Sequence, residues 1–313
     1  MNELQRLMQQ MRNQLNQFLA SLKGEKKKDA ERPDIKMCPV CARFNASNAH
    51  VCEYCDAVLR AKPDSDFDRF GQAKADPLNP VVVIYVICVF AHLIVIYLST
   101  LVVDYELASN MWAPANKALW LFGANYNASV FGDGQFWRLA THMFLHGGLF
   151  HIFMNLGALG SLGPMVLEGF GVRRFWLIAF LSGIMGGLLS ALTYYLGMQR
   201  LGVGFSGALF GFLGASYVWC KSNGNSFLAD RLRKYMIWGN VICILLTMGG
   251  IFNVDNLAHL GGMFTGMGLA YFFESSSSAR VSPKQERLIL AAVVLFWLYG
   301  LVKCAMMVHT EYF

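Results

Sequence analysis

The sequence predicts an all-α membrane protein with seven transmembrane helices behind a small cytosolic zinc-binding module. Three observations predict it. The 313 residues are 55% hydrophobic and only 15% charged, which is not the composition of a soluble domain. Seven apolar stretches follow one another at 81–103, 148–167, 175–196, 205–220, 235–252, 256–273 and 288–309, and a helix needs about 20 mainly apolar residues to cross hydrocarbon. Ahead of them stand two C-x-x-C pairs.

Residues 1–22 place Leu4, Met8, Met11, Leu15, Phe18 and Leu22 at alternating spacings of four and three, the seam of a heptad helix. Its polar face is rich in Gln and Asn and poor in Lys. That favours self-association over a helix lying on anionic lipid, with packing on the next domain as the plain alternative. A polar linker, 23–37, leads to the cysteines. Residues 38–59 carry C-P-V-C and C-E-Y-C, ten residues apart. Cys38, Cys41, Cys52 and Cys55 supply four thiolates for one structural, tetrahedral zinc. A redox dithiol needs only one pair, and disulfides do not persist in the cytoplasm. His50 is a spare ligand beside a complete set. Cys88, Cys220, Cys243 and Cys304 are scattered singly through the apolar stretches and read as packing.

A second linker, 60–80, holds Pro63, Pro77 and Pro80. Residues 1–80 contain no sustained apolar run, so no signal peptide is expected. The loop 104–147 is rich in aromatics, among them Trp112, Trp120 and Trp137, and such residues favour the headgroup boundary.

Charge sets the orientation. Of 26 Lys and Arg residues, only Lys117, Arg138 and Arg200 fall in loops on the side opposite the N-terminus, and Lys303 lies inside the last stretch. The rest put the N-terminus in the cytoplasm. The basic excess is thus a topology signal, and nucleic acid is not needed to explain it. With this parity the second, fourth and sixth spans all start at the outer face.

That places several polar groups at one depth. His151 and Asn155 share a face of span two, one turn apart. Ser206 opens span four in G-V-G-F-S-G-A-L-F-G, and His259 opens span six in A-H-L-G-G. Polar side chains at membrane depth face the protein interior or a water-filled cavity, or they act as interhelical hydrogen bonds. Gly207, Gly211 and Gly214 on span four, and Gly262, Gly266 and Ala270 on span six, form stripes of small residues that let helices approach closely. Packed together, these helices bring Ser206 to His259.

A serine hydroxyl is a weak nucleophile until a base takes its proton, and a histidine can do this near neutral pH. The Ser206 amide at a helix N-terminus, with His151 and Asn155, can receive an oxyanion. Phe210, one turn beyond Ser206, is placed to stack on the imidazole. Asp255, one turn before His259, reads as an N-cap, which leaves a dyad. G-F-S-G-A is not a nucleophile elbow, because Ala208 stands where glycine is required. Glu168 ends span two far from Ser206 and reads as a structural hydrogen-bonding group. His142 and His146 read as interhelical or surface groups, because no carboxylate or H-E-x-x-H spacing accompanies them.

Four motifs occur in order: Trp137-Arg138, His151-x-x-x-Asn155, G-F-S-G around Ser206, and A-H-x-x-G-x-x-x-G at His259, Gly262 and Gly266. Over about 80–310 the chain resembles the rhomboid intramembrane serine proteases. The resemblance implies a six-helix core over 81–274 plus a loop and seventh helix over 275–313. It implies a Ser206–His259 dyad, an oxyanion site at His151, Asn155 and the Ser206 amide, and structural roles for Trp137, Arg138, Glu168, Phe210, Gly262 and Gly266. It further implies a substrate gate near 235–255, transmembrane proteins as substrates, no cofactor for catalysis, and an active site toward the outer face of a bacterial inner membrane. A catalytically silent client-binding protein of the same fold is the alternative. A transporter is disfavoured, because few ionisable residues lie within the spans and no internal repeat is visible.

Overall fold

Helix α1, Pro80–Val102, begins where its sequence says it should. Proline is at home in the first helical position, where its missing N–H costs nothing. The Asn79 side chain accepts the Val81 N–H at 2.9 Å and caps the turn. The structure is a computed structural model that describes residues 35–37, 44–46, 53, 79–102, 113–275 and 282–312. The chain divides into two units, Met1–Pro63 and Asp64–Phe313.

In the first unit, β1 (Ile35–Met37) pairs antiparallel with β2 (Phe44–Ala46). Asn45 on β2 is buried, and its side chain accepts the Glu53 N–H at 3.0 Å. The heptad helix over 1–22 and all four cysteines of the C-x-x-C pairs lie outside the described residues.

In the second unit, the aromatic loop after α1 folds into short pieces: α2 (Asn116–Leu121), α3 (Asn127–Phe131), α4 (Arg138–Thr141) and a 3-10 turn, His142–Phe144. Asn125–Tyr126 (β3) pairs with Leu201–Gly202 (β4), a strand contact between segments too short to carry an alternating pattern. Helix α5 runs Leu149–Ala191 and is broken inside by Gly171, at φ 71 and ψ 171. This corrects the expected loop over 168–174, because a single left-handed residue turns the chain there. A 3-10 segment, Leu192–Leu196, follows.

Helix α6 is Ser206–Ser222, α7 Ser226–Met248, α8 Asn256–Ser275 and α9 Pro283–Tyr312. Helix α7 starts nine residues before the expected 235. Gly224 turns the chain at φ 77, and the Asn225 side chain caps the new helix by accepting the Leu228 N–H. The helix then stops at Gly249–Gly250, with Gly250 at φ 66, short of the expected 252.

Among the described residues, three stretches are long and apolar enough to cross a membrane, Pro80–Leu101, Leu149–Leu196 and Pro283–Glu311. The chain is an integral membrane protein. Its core lies where α1, both halves of α5, α6 and α8 meet, around Ile84, Phe144, Phe175, Ile178, Phe205 and Phe212.

Glycine decides how α6 and α8 meet. A Cβ on Gly262 would run into the Gly207 carbonyl, and one on Gly266 into the Gly211 carbonyl. A Cβ on Gly214 would meet the Met263 carbonyl at 2.5 Å. The helices therefore touch backbone to backbone, as the small-residue stripes require. The second half of α5 seals the same seam, since a Cβ on Gly186 would meet the Ala258 carbonyl at 2.5 Å.

Candidate active site

Ser206 is the first residue of α6, so its N–H belongs to the helix-end amides that have no intrahelical acceptor. His259 sits in the first turn of α8. The backbone seam between these helices brings His259 Nε2 to 3.0 Å from Ser206 Oγ. Phe210 lies over the imidazole, ring centroids 4.1 Å apart and planes 16° apart. That stack holds the ring flat and restricts its rotation. If Nε2 accepts the Ser206 proton, Nδ1 carries the ring's own hydrogen. Nδ1 is buried and has no hydrogen-bond partner among the described residues.

Asp255 is not that partner. Its Oδ1 accepts the Ala258 N–H at 3.1 Å, the N-cap bond to the third helical residue. Its Oδ2 accepts the Ser190 hydroxyl from the second half of α5. The cap reading therefore fits its bonds, and Asp255 also ties α8 to α5.

His151 and Asn155 lie on the first two turns of α5, on the same side of the protein as Ser206. The His151 Nδ1 accepts the Gly147 N–H at 3.3 Å. A neutral ring then carries its hydrogen on Nε2 and can donate from there. That edge faces the serine loop: a Cβ on Gly204 would lie 2.8 Å from both Cε1 and Nε2 of His151. Gly204 sits at φ +121, so glycine is required there for both space and conformation. Asn155 is buried and donates to the His151 carbonyl at 2.9 Å, while its Oδ1 is without a partner among the described residues.

The loop before Ser206 is held from behind. Gly204 donates its N–H to the His142 carbonyl at 3.0 Å. His142 Nδ1 in turn bonds the Arg138 carbonyl at 2.9 Å. Arg138 is fully buried, and its guanidinium donates to the Trp120 and Ala124 carbonyls and to Gln135. Trp137 is half-buried beside it. Burial pushes both His142 and His146 below the ordinary histidine range, and His146 feels the nearby His151 and His92 as well. Both rings are neutral in the folded protein at pH 7.

His92 on α1 is a residue the sequence reading passed over. It is buried, and neither ring nitrogen has a partner among the described residues. One histidine in an apolar stretch has no periodicity to mark it, and only the fold brings it near His146 and His151. No cluster of three or more metal-binding side chains occurs among the described residues. Glu168 is exposed at the far end of its helix half. The buried carboxylate at that end is Glu286, which accepts from Arg173 at 2.6 Å and Arg174 at 2.9 Å.

Ser206, His259, Phe210 and His151 thus converge, Asn155 lies one turn from His151 on the same helix, and Glu168 stands apart. The arrangement can take a proton from a serine hydroxyl and offer N–H donors beside it.

Comparison with known proteins agrees in outline. Residues 133–276 match the family model described as the Rhomboid domain. Rhomboid-like protease 3 of Toxoplasma gondii is 35% identical over 53% of this chain and 62% of its own length. RHOMBOID-like protein 1 of Arabidopsis thaliana is 36% identical over 51% of this chain and 40% of its own. Rhomboid protease GluP of Bacillus subtilis is 33% identical over 59% and 36%. The chain spans less than two thirds of the length of each of these relatives.

Proposed function

We propose that this chain is an intramembrane serine endopeptidase that cleaves within or beside a transmembrane segment of another protein, using Ser206 and His259. The observation that carries the reading is the 3.0 Å contact between Ser206 Oγ and His259 Nε2 at the starts of two helices packed backbone to backbone. His259 takes the Ser206 proton as Oγ attacks the scissile carbonyl. The charge that develops on the carbonyl oxygen is received by the Ser206 N–H, by His151 Nε2–H and by the Asn155 amide. The imidazolium then protonates the leaving amine, and the acyl-enzyme is cleared by water activated in the same way. The substrate must unwind locally, because a helix buries its carbonyls in hydrogen bonds.

The seven apolar stretches supply seven spans, the charge asymmetry puts the N-terminus in the cytoplasm and the active site toward the outer face, and the rhomboid resemblance supports a bacterial inner membrane. Transmembrane proteins are the substrates, and α7 with its following loop is the gate through which they enter. Phe150 and Phe252 stack across its mouth at 5.4 Å and 9°. The four cysteines of the first unit hold a structural zinc, and residues 1–22 serve self-association.

The test is cleavage of a model transmembrane substrate by purified protein, comparing wild type with Ser206→Ala and His259→Ala. Cleavage and fluorophosphonate labelling by wild type alone are expected. A folded wild type that neither cleaves nor labels would support the second reading, a silent protein that binds membrane clients.

A further inference from the structure

Helix α9 lies beyond the matched domain, and much of it faces outward: Leu295, Val302 and Met306 are all exposed. Its contacts with the rest of the chain include a cluster on the segment behind Ser206. Gly300 packs on Thr141 and Trp137, where an added Cβ would lie 2.7 Å and 3.1 Å from their side chains. Cys304 is buried against Gly123, next to Thr141. Met307 places its sulfur 3.7 Å from the Arg138 guanidinium. Trp297 packs on Phe144, centroids 5.2 Å apart, and Phe144 packs on Phe205 at 5.8 Å.

These contacts run along two lines that end at the same place. One goes from Gly300 through Thr141 to His142, whose carbonyl holds the Gly204 N–H. The other goes from Trp297 through Phe144 to Phe205, the residue before Ser206. We propose that α9 is a positioning element for the nucleophile, with Gly300 and Trp297 as its positioning residues: it braces segment 137–144 and so fixes residues 204 and 205, which set where Ser206 points. The inference rests on the proposed protease function. Neither residue touches the reacting atoms.

The logic is one of tolerance. A hydroxyl must sit within hydrogen-bond reach of its base and in line with an incoming carbonyl, and displacing it by about 1 Å can cost roughly 100-fold in rate. Residues 203–205 precede the helix and lack its ladder, so their position is set by what presses on them. His151 presses from one side at Gly204. The segment braced by α9 presses from the other.

The experiment compares full-length Gly300→Leu, Gly300→Ala and Trp297→Leu with wild type, and uses Val302→Leu, on the outward face of the same helix, as control. Three quantities are read: the rate of Ser206 labelling by a fluorophosphonate, kcat and KM on a transmembrane substrate, and amide exchange over 203–207. For Gly300→Leu, labelling and kcat are expected to fall roughly 10- to 100-fold with KM within about threefold, since binding energy is not the quantity lost. Exchange over 203–207 rises in the same variant. Gly300→Ala and Trp297→Leu fall between it and wild type and stand in for it should it not fold. Val302→Leu matches wild type. Rates within about twofold of wild type and unchanged exchange in the Gly300 and Trp297 variants overturn the inference, as does an equal loss in Val302→Leu. A wild type that neither labels nor cleaves defeats the protease reading instead. In that case amide exchange still decides the brace: faster exchange over 203–207 supports it, and unchanged exchange defeats it.

Discussion

Helices α6 and α7 are joined by a short turn and are built to opposite ends. Helix α6 meets α8 through glycines, backbone against backbone at Gly207–Gly262 and Gly211–Gly266. Helix α7 carries exposed Trp238, Ile242, Leu245 and Met248, and its loop exposes Ile251 and Phe252. Its inward contact with the site is Gly239 lying near the edge of Phe210. The difference separates two tasks. A seam that cannot give by a fraction of an ångström keeps a serine and an imidazole in register. A helix with few buried anchors can yield to an incoming segment at little cost.

The comparison breaks first at the seam. Gly266→Leu is expected to abolish folding, because the Gly211 carbonyl cannot step aside. Gly266→Ala should lower stability by about 1–3 kcal/mol or more, measured as thermal unfolding in detergent. The same substitution at Gly268, where a Cβ meets nothing within 4 Å, should be near neutral. Equal effects at the two positions would show that the seam is not tight.

Next comes the stack between the two regions. Phe210→Ala frees the His259 ring and should reduce kcat roughly tenfold with little change in stability, whereas Phe210→Tyr keeps the aromatic face and most of the rate.

At the loose edge the sign reverses. An aromatic pair contributes about 0.5–1.5 kcal/mol. Phe252→Ala should therefore raise the open population, and cleavage of a transmembrane substrate, by roughly two- to tenfold. Labelling by a small fluorophosphonate should barely change. A parallel rise in both would mean that Phe252 acts on the dyad and not on access.

The smallest effect is on pH. Burial holds His142 and His146 below their ordinary value of 6.5. The unfolded chain takes up protons near pH 6.5 while the folded protein does not. Stability is thus fully present above that pH and declines as pH falls below it, by up to two protons' worth. Replacing His142 with Gln should flatten the profile between pH 5 and about 6.5. In the other unit, about one zinc per chain is expected by metal analysis, lost on Cys38→Ser.

Much of this arrangement was legible beforehand. The pairing of Ser206 with His259, the shared face of His151 and Asn155 and the glycine stripes all follow from spacing, which is what a helix converts directly into a face. Phe210 was legible for the same reason. What spacing cannot carry was missed. The start of α7 depended on Asn225 as a cap. The turn at Gly171 depended on one backbone angle. His92 reaches His146 only across the packed interior, and the brace of α9 on Trp137 joins residues more than a hundred positions apart. Glu168 and Glu286 show the same limit, since pattern cannot say which carboxylate two arginines will choose.

The turn at Gly171 carries one more consequence. As one rod, the 48 residues Leu149–Leu196 would be roughly 72 Å long, more than twice the hydrocarbon thickness of about 30 Å. The bilayer therefore demands a reversal somewhere near the middle, whatever residue stands there. A Cβ at Gly171 meets nothing within 4 Å, so a larger side chain adds only local backbone strain. The reversal is thus imposed from outside by membrane thickness, and the glycine chooses only the residue at which it occurs. The hairpin is specified twice, once by the solvent and once by the chain.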